Sequence, residues 1–145
     1  MKERILFFPG LGEKPKNYKS FSKHLKIADI DWNTGKYTPK IKNEEILIGF
    51  SLGNCFPFEY ALKKKVKTII ICSSTPFENL KGVKAEKMVF IAGSKEKFII
   101  DNYKRVISTL PKKQKRELII VNGSDHKIDK NYQKLILDII KTNQF

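Results

Sequence analysis

The sequence predicts an α/β fold: a three-layer α/β/α domain over residues 1–145, built on a mostly parallel sheet of about six strands. Three observations point there. Short runs rich in Ile, Leu, Val and Phe alternate along the chain with amphipathic stretches. The runs are apolar at consecutive positions, the mark of strands covered on both faces. Each run ends in small or polar residues, where open parallel sheets carry their chemistry.

The elements follow in order. "RILFFP" (4–9) reads as a buried strand. Residues 15–27 place Tyr18, Phe21 and Leu25 at helical spacing. "IADIDW" (27–32) is a weaker strand, and "EEILIGF" (44–50) a strong one. Residues 52–65 read as a helix, followed by the strand "VKTIIICSS" (66–74) and the strand "KMVFIAG" (87–93). Residues 97–110 are helical, with Phe98, Tyr103, Ile107 and Leu110 expected in the core. "RELIIVNG" (116–123) is the last strand. Residues 128–142 close the chain as a helix with Tyr132, Leu135, Ile136, Ile139 and Ile140 inward. Right-handed crossovers then bring every strand end to one edge. There lie Pro9-Gly10-Leu11, Ser51, Ser73-Ser74, Ser94-Lys95-Glu96 and Asp125-His126.

Composition narrows the class. The chain has 145 residues, 41% hydrophobic and 30% charged, which suits one folded domain and not a disordered segment. No apolar run approaches the roughly 18 residues of a membrane span. The opening "MKERILFFPG" reaches Pro9-Gly10 too soon for a signal peptide, so a cytoplasmic location is expected. Cys55 and Cys72 sit among apolar residues and are expected as buried thiols without a disulfide. His24 and His126 have no ligand-spaced Cys or His partner, so no metal or other cofactor is expected. Lys and Arg number 29 against 15 Asp and Glu, a net charge of +14 that favours anionic substrates or partners.

Gly49-Phe50-Ser51-Leu52-Gly53 matches G-x-S-x-G between a strand and a helix. A nucleophile raised above a sheet stands on a sharp turn, and residues two before and two after must be small for the backbones to approach. Chance produces such a match only about 0.02 times in a chain of this composition. The alternative is an ordinary strand-end serine. A nucleophilic serine needs a base, and His126, after the last strand in "VNGSDH", is the candidate; His24 lies amid lysines. The base needs a carboxylate. Glu96, in "FIAGSKEKF", gives the order Ser, acid, His, while Glu78 and Asp101 compete. Asp125 is too close in sequence to His126 and is expected to cap the final helix. An oxyanion needs donors, for which the Leu52 and Leu11 backbone N–H groups are candidates.

Together these segments resemble the α/β-hydrolase superfamily from Ile5 to Ile140. "PGLGE" resembles its HG-x loop, "IGFSLG" its nucleophile elbow, "FIAGSKE" its acid segment and "VNGSDH" its histidine loop. The resemblance implies a minimal α/β-hydrolase fold without a cap. It implies Ser51 as nucleophile, His126 as base, Glu96 as acid, Leu11 and Leu52 as oxyanion donors, and Gly49 and Gly53 as elbow glycines. Four departures stand out: Pro9 in the usual histidine position, Glu96 for aspartate, Pro57 early in the helix after Ser51, and the brevity of the chain. Pro57 should delay or kink that helix. Only residues 32–44 separate the second strand from "EEILIGF", so the usual intervening helix is missing or reduced.

The expected activity is a serine esterase or thioesterase acting on small acyl esters or carrier-bound acyl groups. The alternative is a non-catalytic relative that binds an anionic partner, such as an acidic carrier protein, through "KKKVK" (63–67) and "KKQKR" (112–116). Nucleic acid is disfavoured, because those basic runs lack interleaved aromatic residues for base stacking.

Overall fold

The consecutive apolar runs become the interior of one parallel sheet. The structure, a computed structural model, describes residues 2–75 and 80–142. The sheet comprises β1 (Ile5–Phe8), β2 (Lys26–Ile27), β5 (Ile46–Phe50), β6 (Val66–Cys72), β7 (Ala85–Gly93) and β8 (Lys115–Val121). A separate antiparallel hairpin pairs β3 (Asp29–Asp31) with β4 (Lys36–Thr38). The main sheet runs in the order β2-β1-β5-β6-β7-β8, every neighbouring pair parallel. All its carboxyl ends therefore meet at one edge. The order reverses between β1 and β5, which opens a crevice above their ends.

Alternate residues of each strand feed opposite layers. Leu6, Phe8, Ile69, Ile71 and Phe90 pack with α1 (Cys55–Ala61), α2 (Lys97–Thr109) and Ile30 of the hairpin. Ile5, Phe7, Ile70, Val89 and Ile91 pack with α3 (Lys130–Thr142) and with Tyr18, Phe21 and Leu25. β1 and β5 are buried at every position, whereas β8, at the sheet edge, is buried only at Val121.

Several local expectations need correction. Residues 15–27 form no α-helix. A 3-10 turn at Pro15–Tyr18 is followed by separate turns that mix i−3 and i−4 bonds, such as Phe21 N–H to Tyr18 O and Leu25 N–H to Phe21 O. Ser22 gives its hydroxyl to the Lys19 carbonyl at 2.7 Å, competing with a continuous ladder. The three apolar residues are buried all the same. "IADIDW" splits: Ile27 joins the main sheet with Lys26 as β2, and Asp29–Asp31 turn away into the hairpin, which fills the stretch before β5 where the sequence predicts a missing or reduced helix.

The helix after Ser51 is shorter than expected. A 3-10 turn covers Ser51–Asn54 and α1 begins only at Cys55. Pro57 has no N–H for the Gly53 carbonyl, so the α-helical ladder starts late. Phe98 is 78% exposed, not in the core. It sits in the first turn of α2, about 140° around the axis from buried Tyr103. Cys72 is buried, but Cys55 is only half-buried; both thiols are free and burial raises both above the usual thiol range. Among the described residues, no helix is long and apolar enough to cross a membrane.

Candidate active site

One backbone distortion builds the turn at the end of β5. Ser51 has φ 53°, the left-handed region that costs a non-glycine residue about 1–2 kcal/mol. The chain reverses there from strand into the 3-10 turn. The two flanking glycines answer to contacts, not to flexibility. A Cβ on Gly49 would lie 2.5 Å from Asn54 Oδ1, and one on Gly53 would lie 2.4 Å from the Phe8 and Pro9 carbonyl oxygens. Any side chain at Gly53 would push the serine turn off the end of β1.

Asn54 ties the turn down. It is buried, and its Nδ2 donates to the Ser51 carbonyl at 3.0 Å and to the Cys72 carbonyl at 3.3 Å. Two carbonyls on one side fix the amide with its nitrogen facing them.

The loop after β8 carries His126 across the strand ends. It is stapled to the loop after β7 by Ser94 N–H to Val121 O, Lys95 N–H to Ser124 O and Gly123 N–H to Ser94 Oγ. Ser124 is buried and donates its hydroxyl to Asp129. Asp129 also accepts the Tyr132 N–H at 2.9 Å, so it caps α3. That bond, with the Ser124 hydroxyl and the Asn131 N–H, holds its carboxyl below the usual aspartate range, against a smaller opposing effect of burial. Asp125, the expected cap, instead accepts the N–H of His126 itself at 2.9 Å. A short loop intervenes before α3, leaving Asp125 too far upstream to cap it.

His126 Nδ1 lies 2.7 Å from Glu96 Oε2, and His126 Nε2 lies 3.1 Å from Ser51 Oγ. A carboxylate only accepts, so Nδ1 carries the hydrogen and the Nε2 lone pair faces the serine hydroxyl. The Phe50 ring packs beneath the imidazole, with centroids 5.2 Å apart. Glu96 is nearly enclosed, its side chain 3% exposed, while the His126 side chain is 49% exposed. The longer glutamate arm folds back on its own turn. Glu96 N–H bonds the Gly93 carbonyl at 2.9 Å, and Glu96 Oε1 accepts the Gly93 N–H at 2.9 Å.

The other candidates fall as follows. Leu52 lies in the first turn of the 3-10 segment, and Leu11 in the turn closed by Glu13 N–H to Gly10 O. Neither backbone N–H has a hydrogen-bond partner among the described residues. Both side chains are exposed. His24 precedes β2, at the amino edge of the sheet, away from Ser51. Asp101 is exposed on α2, and Glu78 lies outside the described residues. Among the described residues, no group of three or more His, Cys, Asp and Glu side chains could hold a metal ion.

Sequence reasoning assigned no site role to Phe50, Asn54 or Ser73, and read Tyr132 only as an inward residue of the last helix. Ser73 carried the one signal, a serine at a strand's carboxyl end. The rest depend on long-range packing: strand register pairs Phe50 with Cys72 and Cys72 with Ile91, and the turn at Asn54 and helix α3 close over those strand ends.

The sequence matches no protein-family model and no curated protein. Solved structures are similar across nearly the whole chain. A dienelactone hydrolase from Anabaena variabilis superposes at a TM-score of 0.68 with 16% identity, covering 96% of this chain and 83% of that one. A CIB-like hydrolase from Thermoplasma acidophilum gives 0.66 with 18% identity, covering 96% and 86%. An alpha-beta serine hydrolase homologue from Coxiella burnetii gives 0.66 with 14% identity, covering 99% and 87%. Likeness at this identity speaks for architecture: a parallel sheet with helices on both faces and a strained serine turn after β5 make this chain an α/β-hydrolase fold in 145 residues.

Proposed function

We propose that this protein is a serine hydrolase that cleaves a carboxylic ester or thioester through an acyl-enzyme on Ser51. One observation carries the reading: a hydrogen-bonded line from Ser51 Oγ through both ring nitrogens of His126 to the buried carboxylate of Glu96. The hydrolase names of the similar structures support it.

The chemistry follows from the geometry. Ser51 Oγ attacks the carbonyl carbon while His126 Nε2 takes its proton. The imidazolium that forms is held by the Glu96 carboxylate at Nδ1. Charge on the former carbonyl oxygen is met by the free N–H groups of Leu52 and Leu11. The tetrahedral species then collapses: the bond to the alcohol or thiol breaks, and His126 returns the proton to the leaving group. A water, deprotonated by His126, then attacks the acyl carbon; the bond to Ser51 Oγ breaks, His126 returns the proton to Oγ, and the acid leaves. The half-exposed imidazole and the exposed Leu11 and Leu52 suit small acyl groups, or acyl groups offered on a larger carrier.

Turnover of a short-chain nitrophenyl ester tests this. The expected result is hydrolysis by the native protein and loss of on the order of 10⁴-fold or more in His126→Ala. Equal rates in both proteins would overturn it. The second reading, a non-catalytic protein that binds an acidic carrier, draws on the net charge of +14. It predicts salt-sensitive carrier binding with no ester turnover.

A further inference from the structure

Among the described residues, two non-glycine residues have positive φ: Ser51, at 53°, and Ser73, at 48°. Ser51 is the nucleophile of the proposed reaction. Ser73 follows β6 and is completely buried, a polar residue in a strained conformation inside the core. Such strain persists only where the surroundings over-determine it, and it clusters at functional sites.

The contacts of Ser73 show what the strain achieves. Its Oγ lies 2.6 Å from Glu96 Oε1 and 2.8 Å from the Tyr132 hydroxyl. Its N–H bonds the Ile91 carbonyl at 2.8 Å. Counting protons fixes the direction of the chain. The carboxylate can only accept, so Ser73 spends its single hydrogen on Oε1. Tyr132 must then donate to Ser73. The Ile91 carbonyl, which the Tyr132 hydroxyl also approaches at 3.1 Å, already accepts the Ser73 N–H at 2.8 Å, and the Tyr132 contact to Ser73 is the shorter of its two. Burial pushes the Tyr132 phenol well above its usual range, so it stays a donor.

We propose that Ser73 and Tyr132 are positioning residues that aim the Glu96 carboxylate at His126. Oε1 takes two donors, Ser73 O–H and the Gly93 N–H, which leaves Oε2 to face Nδ1. With Ser73 gone, Oε1 keeps only the Gly93 N–H, the carboxylate is free to turn about that one contact, and the Nδ1–H bond loosens. The three segments that meet here come from the ends of β6, β7 and the first turns of α3, so the cradle spans the core beneath the exposed imidazole.

Ser73→Gly separates positioning from packing. Glycine accepts φ 48° without strain, which offsets part of the cost of losing the buried hydroxyl, so the variant is expected to fold. Tyr132→Phe keeps the ring and removes the donor one step further out. The first readout needs no activity: the low-field Nδ1 proton of His126 in the NMR spectrum of the folded protein. We expect it to move upfield or broaden in Ser73→Gly, and to change less in Tyr132→Phe.

The second readout is kinetic and rests on the hydrolase reading. kcat should fall about ten- to a hundredfold in Ser73→Gly with KM little changed. The loss should disappear when Ser73→Gly is made in a Glu96→Ala background, because the two act through one carboxylate. An unchanged proton resonance in a folded Ser73→Gly overturns the proposal, as does an equal loss of kcat in both backgrounds. A changed resonance in a protein without esterase activity overturns the hydrolase reading and supports the positioning role.

Discussion

The two ends of the Ser51–His126–Glu96 line are held by different means. At the serine end the backbone does the holding: a left-handed residue, two glycines wedged against neighbouring chain, and the Asn54 amide gripping two carbonyls. At the glutamate end, in the buried interior, a side-chain hydroxyl and one backbone N–H share the holding: Ser73 O–H and Gly93 N–H both bond Oε1. His126 bridges them, half in solvent, resting on Phe50 and on a loop stapled to its neighbour. The serine end therefore fails when an atom is added, and the glutamate end fails when a hydrogen bond is lost.

The largest effect should come from Ser51→Ala, which removes the atom proposed to attack and leaves both clamps in place. Ester hydrolysis should drop on the order of 10⁴-fold or more, with an unchanged unfolding midpoint. Glu96→Gln keeps the shape of the buried arm but sets an amide against Nδ1 and Ser73. A loss of about 10³- to 10⁴-fold in kcat is expected, with KM nearly unchanged in steady-state assays.

Gly53→Ala tests the other mode of failure. Its Cβ would meet carbonyl oxygens at 2.4 Å, backbone that cannot step aside. Denaturant unfolding should show a loss of about 2–3 kcal/mol, with activity falling along with it. A neutral result would break the contrast between the two ends.

The smallest effect concerns the cap beneath the histidine loop. Asp129→Ala should cost about 1 kcal/mol, and Asp129→Asn much less. The Asp129 carboxyl is held below its usual range, chiefly by the Tyr132 N–H. Its folded value lies below its unfolded one, so its stabilisation is complete above about pH 4 and fades as pH falls through the folded value. Unfolding curves at stepped acidic pH should show a shallower stability loss for Asp129→Asn than for the native protein.

Where the sequence spoke clearly, it did so through local pattern. Strands buried on both faces declared themselves as unbroken apolar runs, and the spacing of Tyr132, Ile136, Ile139 and Ile140 marked α3. The same logic misread residues 15–27. Tyr18, Phe21 and Leu25 bury equally well from successive single turns, so their spacing does not demand one helix. Phe98 misled for a related reason: it lies on the outward side of α2, while Ile99 and Ile100 of the same turn pack against the core.

The candidate site divides the same way. Ser51 and its glycines are a local motif, readable within five residues. The cradle around Glu96 joins residues 23 and 59 positions apart, through the contacts of Ser73 with Glu96 and Tyr132. Strand register and the packing of α3 on the sheet bring them together, and one sequence carries no local sign of register between distant strands.

Intact-mass analysis after exposure to a fluorophosphonate tests the central claim most directly. The account predicts one covalent adduct on the native protein, mapped to Ser51, and none on Ser51→Ala. A folded native protein that takes up no adduct, or equal labelling of both proteins, would contradict it.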